Sequence, residues 1–172
     1  VSSFASLINR IQQVFDASKR FNRHVFLSGR SLIGNVKVAL KLGYLRAPKD
    51  LLIDAHQLKQ LRDDQVTIMC TGSQGEMYSA LVRMASDDHP HIKIKPGDTV
   101  VISASPIPGN ETAINRTINN LFRRGARVIY GRELDIHVSG HAAQEELKIL
   151  YEIVKPKYFI PVHGEDRHLI LH

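Results

Sequence analysis

Apolar residues recur along the chain with helical spacing in some segments and strand spacing in others. Phe4, Ile8, Ile11 and Phe15 follow at i, i+4, i+7 and i+11, which predicts an amphipathic helix at the start of the sequence. The run His24–Ser28 predicts a strand. Residues 32–42 then predict a second helix, which ends at Gly43, where a left-handed cap is expected.

The second half of the chain repeats this alternation. Strands are predicted at 66–71, 98–104, 127–130 and 157–162, and helices at 78–85, around the stripe Ile114, Ile118, Leu121 and Phe122, and around Ala143, Leu147, Leu150 and Val154. Such alternation predicts an α/β fold with a doubly wound, mainly parallel sheet. Ligands of such sheets bind beyond the carboxyl ends of the strands, and the polar loops of this sequence fall there.

Composition narrows the class of protein. The chain has 172 residues, of which 43% are hydrophobic and 23% charged, enough for a compact globular domain. No apolar run approaches the ~20 residues of a membrane helix, and no signal peptide is evident, so we expect a cytoplasmic protein with no membrane partner. The single cysteine, Cys70, fits a reducing compartment. A net charge of +6 favours a polyanionic partner.

The densest candidate site is the run His137, Val138, Ser139, Gly140 and His141 between a predicted strand and a predicted helix. Backbone N–H groups at a helix start can hold a phosphate, and the hydroxyl and an imidazole can donate further hydrogen bonds. The alternative is that Ser139 only caps the helix and the histidines are surface polar residues.

A second strand-to-helix loop contains Gly72 and Ser73. Its glycines allow close approach of the backbone, and its hydroxyls can bind a phosphate or a ribose. It lacks the Gly-Lys-Ser/Thr ending of a Walker sequence and the dinucleotide fingerprint. A tight turn followed by a helix cap explains the same residues equally well.

His163 follows the last predicted strand, from which its imidazole can project into a strand-end crevice. Imidazole is a common zinc ligand, but a catalytic zinc site needs about three protein ligands, and His163 has no partner at metal-ligand spacing.

Several basic residues and three aromatic ones could contact a nucleic-acid backbone and its bases. They are Arg30, Lys37, Lys41, Arg46, Arg116, Arg123, Arg124 and Arg127, with Phe4, Tyr44 and Tyr78. Each has an ordinary structural alternative, and Phe4 falls in the predicted core stripe.

Motifs along essentially the whole chain resemble bacterial ribonuclease J, in that family's order and spacing. They lie at residues 4–13, 27–31, 42–45, 71–76, 103–111, 128–131, 137–141, 144–147 and 155–165. The resemblance implies a β-CASP RNA-binding domain in residues 1–133 and a C-terminal piece of a metallo-β-lactamase core in residues 134–172.

The same resemblance implies an enzyme with two zinc ions that cuts RNA endonucleolytically and trims it from 5′ to 3′. His141 matches the family's proposed proton donor to the leaving oxygen, and His163 matches a metal ligand. Residues 137–141 match the contacts with the substrate phosphate, and Ser6 matches a further contact. Leu7 departs from the family pattern, which usually has Asn there.

The larger departure is that the sequence contains no His-x-His-x-Asp-His metal motif. His89-Pro90-His91 has the wrong order of residues and is interpreted as a solvated loop. We therefore expect part of a ribonuclease J with an incomplete zinc site, inactive alone, whose partners are the 5′-phosphate and backbone of RNA. This expectation is compatible with a full-length enzyme that forms homodimers or tetramers and that acts with RNA-degradation partners. The alternatives are a noncatalytic module that binds a nucleotide or phosphosugar, and a scaffold for degradation partners.

Overall fold

The computed structural model describes residues 1–131, 136, 142–162 and 164–172. Its contacts divide the chain into two compact units, Val1–Val138 and Ser139–His172. Within the described residues, no helix is long and apolar enough to cross a membrane.

The first unit is built on parallel strands. In the larger sheet, β1 (His24–Ser28) lies between β2 (Leu52–Ile53) and β3 (Val66–Cys70). In the smaller sheet, β4 (Thr99–Val101) pairs with β5 (Arg127–Ile129). All these pairings are parallel, as the alternation of strands and helices predicts.

Residues 1–3 join the two sheets. The N–H of Ser2 donates to the carbonyl of Val101 at 2.7 Å, and the N–H of Ser3 donates to that of Cys70 at 3.2 Å. The N–H of Ser103 donates in turn to the carbonyl of Ser2 at 2.8 Å. The strand order is therefore β2-β1-β3, then residues 1–3, then β4-β5. The opening helix consequently starts later than its apolar stripe predicts, and Phe4 lies before it.

Helices cover both faces of this sheet. The longer ones are α1 (Ile8–Arg20), α2 (Arg30–Lys41) and α5 (Glu111–Arg123), and the shorter ones are α3 (Ala55–Leu58) and α4 (Ala80–Ala85). Successive strand residues face opposite sides. Val25 thus packs in the core formed with α1 and α2, and Phe26 packs in the core formed with α4 and α5. The predicted α/β class, doubly wound on a parallel sheet, is confirmed.

Helix ends follow the sequence signals more closely than helix starts. Gly43 has φ +78° directly after α2, and the N–H of Tyr44 donates to the carbonyl of Ala39 at 2.9 Å, so the predicted left-handed cap is confirmed. By contrast, α4 starts at Ala80, two residues later than predicted. Phe122, placed in the buried stripe of α5 by its spacing, is about half exposed, so that assignment is wrong.

The second unit contains α6 (Gln144–Val154) and α7 (Asp166–Leu171). The strand predicted at 157–162 is not formed. A strand needs a neighbour for its backbone groups, and Pro161 lacks the N–H that a ladder requires. The ring of Phe159 instead contacts the ring of Tyr151 on α6, with centroids 5.9 Å apart.

Candidate nucleic-acid interface

The carboxyl ends of β1, β3 and β4, and of residues 1–3, lie along one edge of the sheet of the first unit. Four buried serines lie at this edge: Ser3, Ser28, Ser73 and Ser103. The hydroxyl of Ser3 has no hydrogen-bond partner within the described residues. Because buried polar groups are almost always paired, an unpaired one at a strand end favours a water or ligand oxygen as its partner. This strand-end edge is where ligands of open α/β sheets bind.

Gln74 ties together two of the loops that leave this edge. Its side-chain amide is buried, and Nε2 donates to the carbonyl of Ser105 at 3.0 Å. Oε1 accepts from the N–H of Ile107 at 2.8 Å. One side chain thus fixes residues 71–79 against residues 103–110. Sequence reasoning missed this role, although a glutamine between two glycines of a strand-end loop was a visible signal.

The two glycines beside Gln74 are required by the protein's own packing. A Cβ on Gly75, which has φ +72°, would lie 2.6 Å from the carbonyl carbon of Ala113 and 2.8 Å from the backbone nitrogen of Ile114. A Cβ on Gly72, which has φ +108°, would collide with the side chain of Ser79. Here the sequence left two explanations open, and these contacts favour the tight turn over close approach to a ligand.

His89 is attached to the same edge. Its Nδ1 accepts from the N–H of Ile92 at 3.2 Å, so the ring proton is on Nε2, which lies 2.8 Å from the hydroxyl oxygen of Ser28. Burial, and then the positive charge of Arg83, lower the pKa of His89 below its ordinary value. Pro90 and His91 are exposed, as expected of a solvated loop, whereas His89 is partly buried and anchors the connection after α4 to the end of β1.

The remaining predicted site residues in the first unit fall on these loops. Ser73 is 3% exposed and follows Gly72 directly after β3. Ser6 is exposed and lies between residues 1–3 and α1. The structure therefore brings Ser6, Gly72 and Ser73 to one edge of the sheet.

The other predicted site residues lie outside the described residues. These are His137, Val138, Ser139, Gly140 and His141, together with the metal-ligand candidate His163. Ile136, which is described, accepts a hydrogen bond through its carbonyl from the hydroxyl of Ser103. This bond places Ile136 beside the loop that leaves β4.

The described residues contain no group of three or more His, Cys, Asp or Glu side chains placed to hold a metal ion. A hydrolytic zinc site needs about three protein ligands. The part of the chain that the structure describes therefore does not form a zinc site.

The opposite edge of the sheet contains a cavity of about 600 Å³ near the starts of β3 and β4. Three lysines, Lys59, Lys93 and Lys95, and three carboxylates, those of Asp63, Asp64 and Asp98, line it. Lys95 Nζ lies 2.6 Å from a carboxylate oxygen of Asp63, and Arg62 pairs with Asp64 at 3.0 Å. Because carboxylates repel phosphate, this mixed lining suits a polyanion less well than a purely cationic site would.

Two family models match the chain. The model described as "Ribonuclease J, beta-CASP domain" matches residues 1–121, and the one described as "Zn-dependent metallo-hydrolase RNA specificity domain" matches residues 131–171.

Curated relatives match nearly the whole chain. It is 49% identical to Ribonuclease J of Thermus thermophilus over 168 residues, which are 98% of this chain and 29% of the relative. It is 46% identical to Ribonuclease J of Helicobacter pylori strain J99 over 172 residues, or 100% of this chain and 25% of that relative. Ribonuclease J2 of Bacillus subtilis is 45% identical over 97% of the chain, which covers 30% of that protein.

The chain thus spans between a quarter and a third of the length of these relatives. The match of the β-CASP model to well over half of the residues agrees with the parallel α/β fold and with the motifs seen in the sequence. The chain therefore belongs to the ribonuclease J family of zinc-dependent metallo-hydrolases.

Proposed function

We propose that the full-length protein is a zinc-dependent ribonuclease and that residues 1–131 supply much of its RNA-binding surface. The observation that carries this proposal is the strand-end edge, where buried hydroxyls and two loops joined by Gln74 meet in a chain of the ribonuclease J family. A stiff polar edge suits a phosphodiester chain, because the groups that contact the phosphates are already ordered before binding.

Charge supports the same surface. The net charge of +6 is compatible with a polyanionic partner. Arg30 is exposed at the start of α2, directly after β1, and is therefore at the strand-end edge. A cation beside the strand ends can contact a phosphate of the RNA backbone.

Roles for the residues outside the described part rest on the family motifs. We propose that His137, Val138, Ser139, Gly140 and His141 hold the 5′-phosphate of the RNA. His141 would also protonate the leaving 3′ oxygen, a general-acid step that imidazole can perform near neutral pH.

The complete enzyme would hold two zinc ions, and His163 would be one of their ligands. Because the sequence contains no His-x-His-x-Asp-His motif, most of the other ligands would come from parts of the longer protein beyond this chain. We propose both endonucleolytic cleavage and 5′ to 3′ trimming for the complete enzyme, as the family motifs imply.

Organisation and setting are proposed on the same basis. A division of the chain into a β-CASP part at 1–133 and a metallo-β-lactamase part at 134–172 is supported by the two family models, which match residues 1–121 and 131–171. We propose a cytoplasmic enzyme, which would assemble as a homodimer or tetramer and act with other RNA-degrading proteins.

Salt dependence of binding tests the RNA-binding proposal. An unstructured oligoribonucleotide with a 5′-monophosphate is titrated into the full-length protein at several salt concentrations. If about four phosphates are contacted, the affinity should fall about 50-fold over a fourfold rise in salt. A weak salt dependence, matched by equally tight binding of a mononucleotide, would instead support a module that binds a single nucleotide or phosphosugar.

Metal content tests the proposed zinc ligand. In the full-length protein, His163→Ala should lower the bound zinc, measured by elemental analysis, and should abolish RNA cleavage. His172→Ala, which alters a histidine with no proposed role, is the control and should leave both unchanged. Unaltered zinc content in His163→Ala would contradict the proposed ligand.

Activity of the excised chain tests its dependence on the rest of the protein. The 172-residue chain alone should not cleave RNA in the presence of zinc. Metal-dependent cleavage that survives purification and disappears in His163→Ala would contradict this expectation.

A further inference from the structure

The loop that follows Gln74 presents two large apolar side chains to solvent. Met77 is 76% exposed and Tyr78 is 81% exposed. Within the described residues, the Tyr78 ring makes no aromatic or cation–π contact. The described residues leave the face of this ring uncovered, so it is available to a flat ligand.

The backbone at Tyr78 makes the position more unusual. The N–H of Ser79 donates to the carbonyl of Glu76 at 3.0 Å, which closes a four-residue turn. Tyr78 is the third residue of this turn and has φ +66°. That position of a type II turn normally holds Gly or Asn, because a side chain is strained there. The protein therefore keeps a tyrosine where glycine would stabilise the turn.

The turn is fixed in place by the residues on either side of it. Before it, Gln74 is hydrogen-bonded to the loop after β4, and Gly75 lies against the backbone of α5. After it, the N–H of Leu81 donates to the carbonyl of Thr71 at 3.0 Å. The ring is thus carried on an ordered turn at the strand-end edge. A fixed aromatic ring loses little conformational freedom when a flat ligand binds to it.

Two exposed arginines lie on helices that start at, or contact, the loop that carries this turn. Arg116 is one helical turn along α5 from Ala113, whose backbone Gly75 contacts. Arg30 begins α2 next to Gly29, and the α-carbon of Gly29 lies against the side chain of Thr71. Aromatic rings beside cationic groups are the features with which proteins bind single-stranded nucleic acids.

We propose that Tyr78, with Met77 beside it, is a stacking platform for one unpaired base of the RNA. This inference rests on the proposed RNA-binding function. The exposed side chains of Met77 and Tyr78 together cover about the area of one base, whereas a stable protein interface needs about 20 residues on each side. Because every base has a flat face, the platform would be tolerant of sequence and would act mainly on affinity.

The test compares RNA affinity with thermal stability in the full-length protein. The probe is an unstructured oligoribonucleotide with a 5′-monophosphate, and binding is measured without zinc so that no cleavage occurs. Tyr78→Gly should weaken binding about 5- to 150-fold, while relief of the strained φ raises the melting temperature. Tyr78→Phe keeps the ring and should bind within about twofold of the wild type.

Phe21→Ala is the matched control. Phe21 is 71% exposed, but it follows α1, just before β1, and therefore lies at the opposite edge of the sheet. Its replacement should leave affinity unchanged. A series of oligonucleotides, each with one abasic position, should contain one member for which Tyr78→Gly and the wild type bind equally well, because that member lacks the stacked base.

The outcomes separate this inference from the function on which it rests. If the wild type binds no RNA, both fail. If it binds RNA and Tyr78→Gly binds equally well, only the stacking platform is overturned. A variant that loses stability and affinity together would show a structural role for the ring, and a change of oligomeric state would show a protein contact. Either result also overturns the proposal.

Discussion

Replacement of Gly75 by Ala tests whether the loop after β3 must lie directly against α5. The added Cβ would be 2.6 Å from the carbonyl carbon of Ala113, and this contact must lengthen by about 0.8 Å to reach an ordinary 3.4 Å. The two atoms nearest to the added Cβ, the carbonyl carbon of Ala113 and the nitrogen of Ile114, belong to the backbone of α5, so rotation of a side chain cannot relieve the contact. The loop or the helix must move, and the hydrogen bonds of Gln74 are the first to be strained.

Gly43→Ala supplies the matched control. Gly43 has φ +78°, close to the +72° of Gly75, but no atom lies within 4 Å of its added Cβ. Each variant loses about 1–2 kcal/mol from the left-handed conformation. Only Gly75→Ala adds the cost of overpacking, about 1–3 kcal/mol. The difference between the two variants therefore isolates the contact with α5.

Native-state hydrogen exchange measures this difference in the full-length protein. The N–H of Ile107, which donates to Gln74 Oε1, reports whether the two loops remain joined. Gly75→Ala should speed its exchange about 5- to 150-fold more than Gly43→Ala does, as expected for 1–3 kcal/mol of local destabilisation. Equal effects of the two variants would refute the argument that the close approach to α5 positions this loop.

Two further predictions concern the side chains that bind the loops to the edge. Gln74→Leu should leave the Ser105 carbonyl and the Ile107 N–H unpaired and lower RNA affinity. Gln74→Glu should also lower the affinity in binding titrations, because its carboxylate would face the Ser105 carbonyl and repel phosphate. Because burial lowers the pKa of His89 below 6.5, the unfolded chain takes up its proton first as the pH falls. Stability should therefore decrease below about pH 6.5, and His89→Gln should remove that part of the pH dependence of the melting temperature.

The alternation of apolar spacing was sufficient to predict the α/β class. The cap at Gly43 agrees with its sequence signal because it depends on local residues alone, and β1 agrees because β2 and β3 pair with its backbone groups. The strand character of residues 1–3 could not be predicted, since three residues are too few to show alternation and their hydrogen bonds come from β3 and β4. Residues 157–162 show the reverse case, in which a strand-like pattern forms no strand.

The candidate site was predictable in its position but not in its connections. Gly72 and Ser73 lie at the strand-end edge because parallel α/β topology dictates where such loops fall. The pairing of Gln74 with a loop about 30 residues later, and of His89 with Ser28, depends on tertiary contacts that no local pattern encodes. For the same reason the sequence could not show that Tyr78 occupies a strained turn.

The most direct test of the RNA-binding edge is hydrogen exchange of the full-length protein with and without a single-stranded RNA that carries a 5′-monophosphate. Binding at the proposed edge should protect backbone amides in residues 71–79 and 103–110, and should leave residues 59–65 and 93–98 at the opposite edge unchanged. Protection confined to residues 59–65 and 93–98 would contradict the assignment.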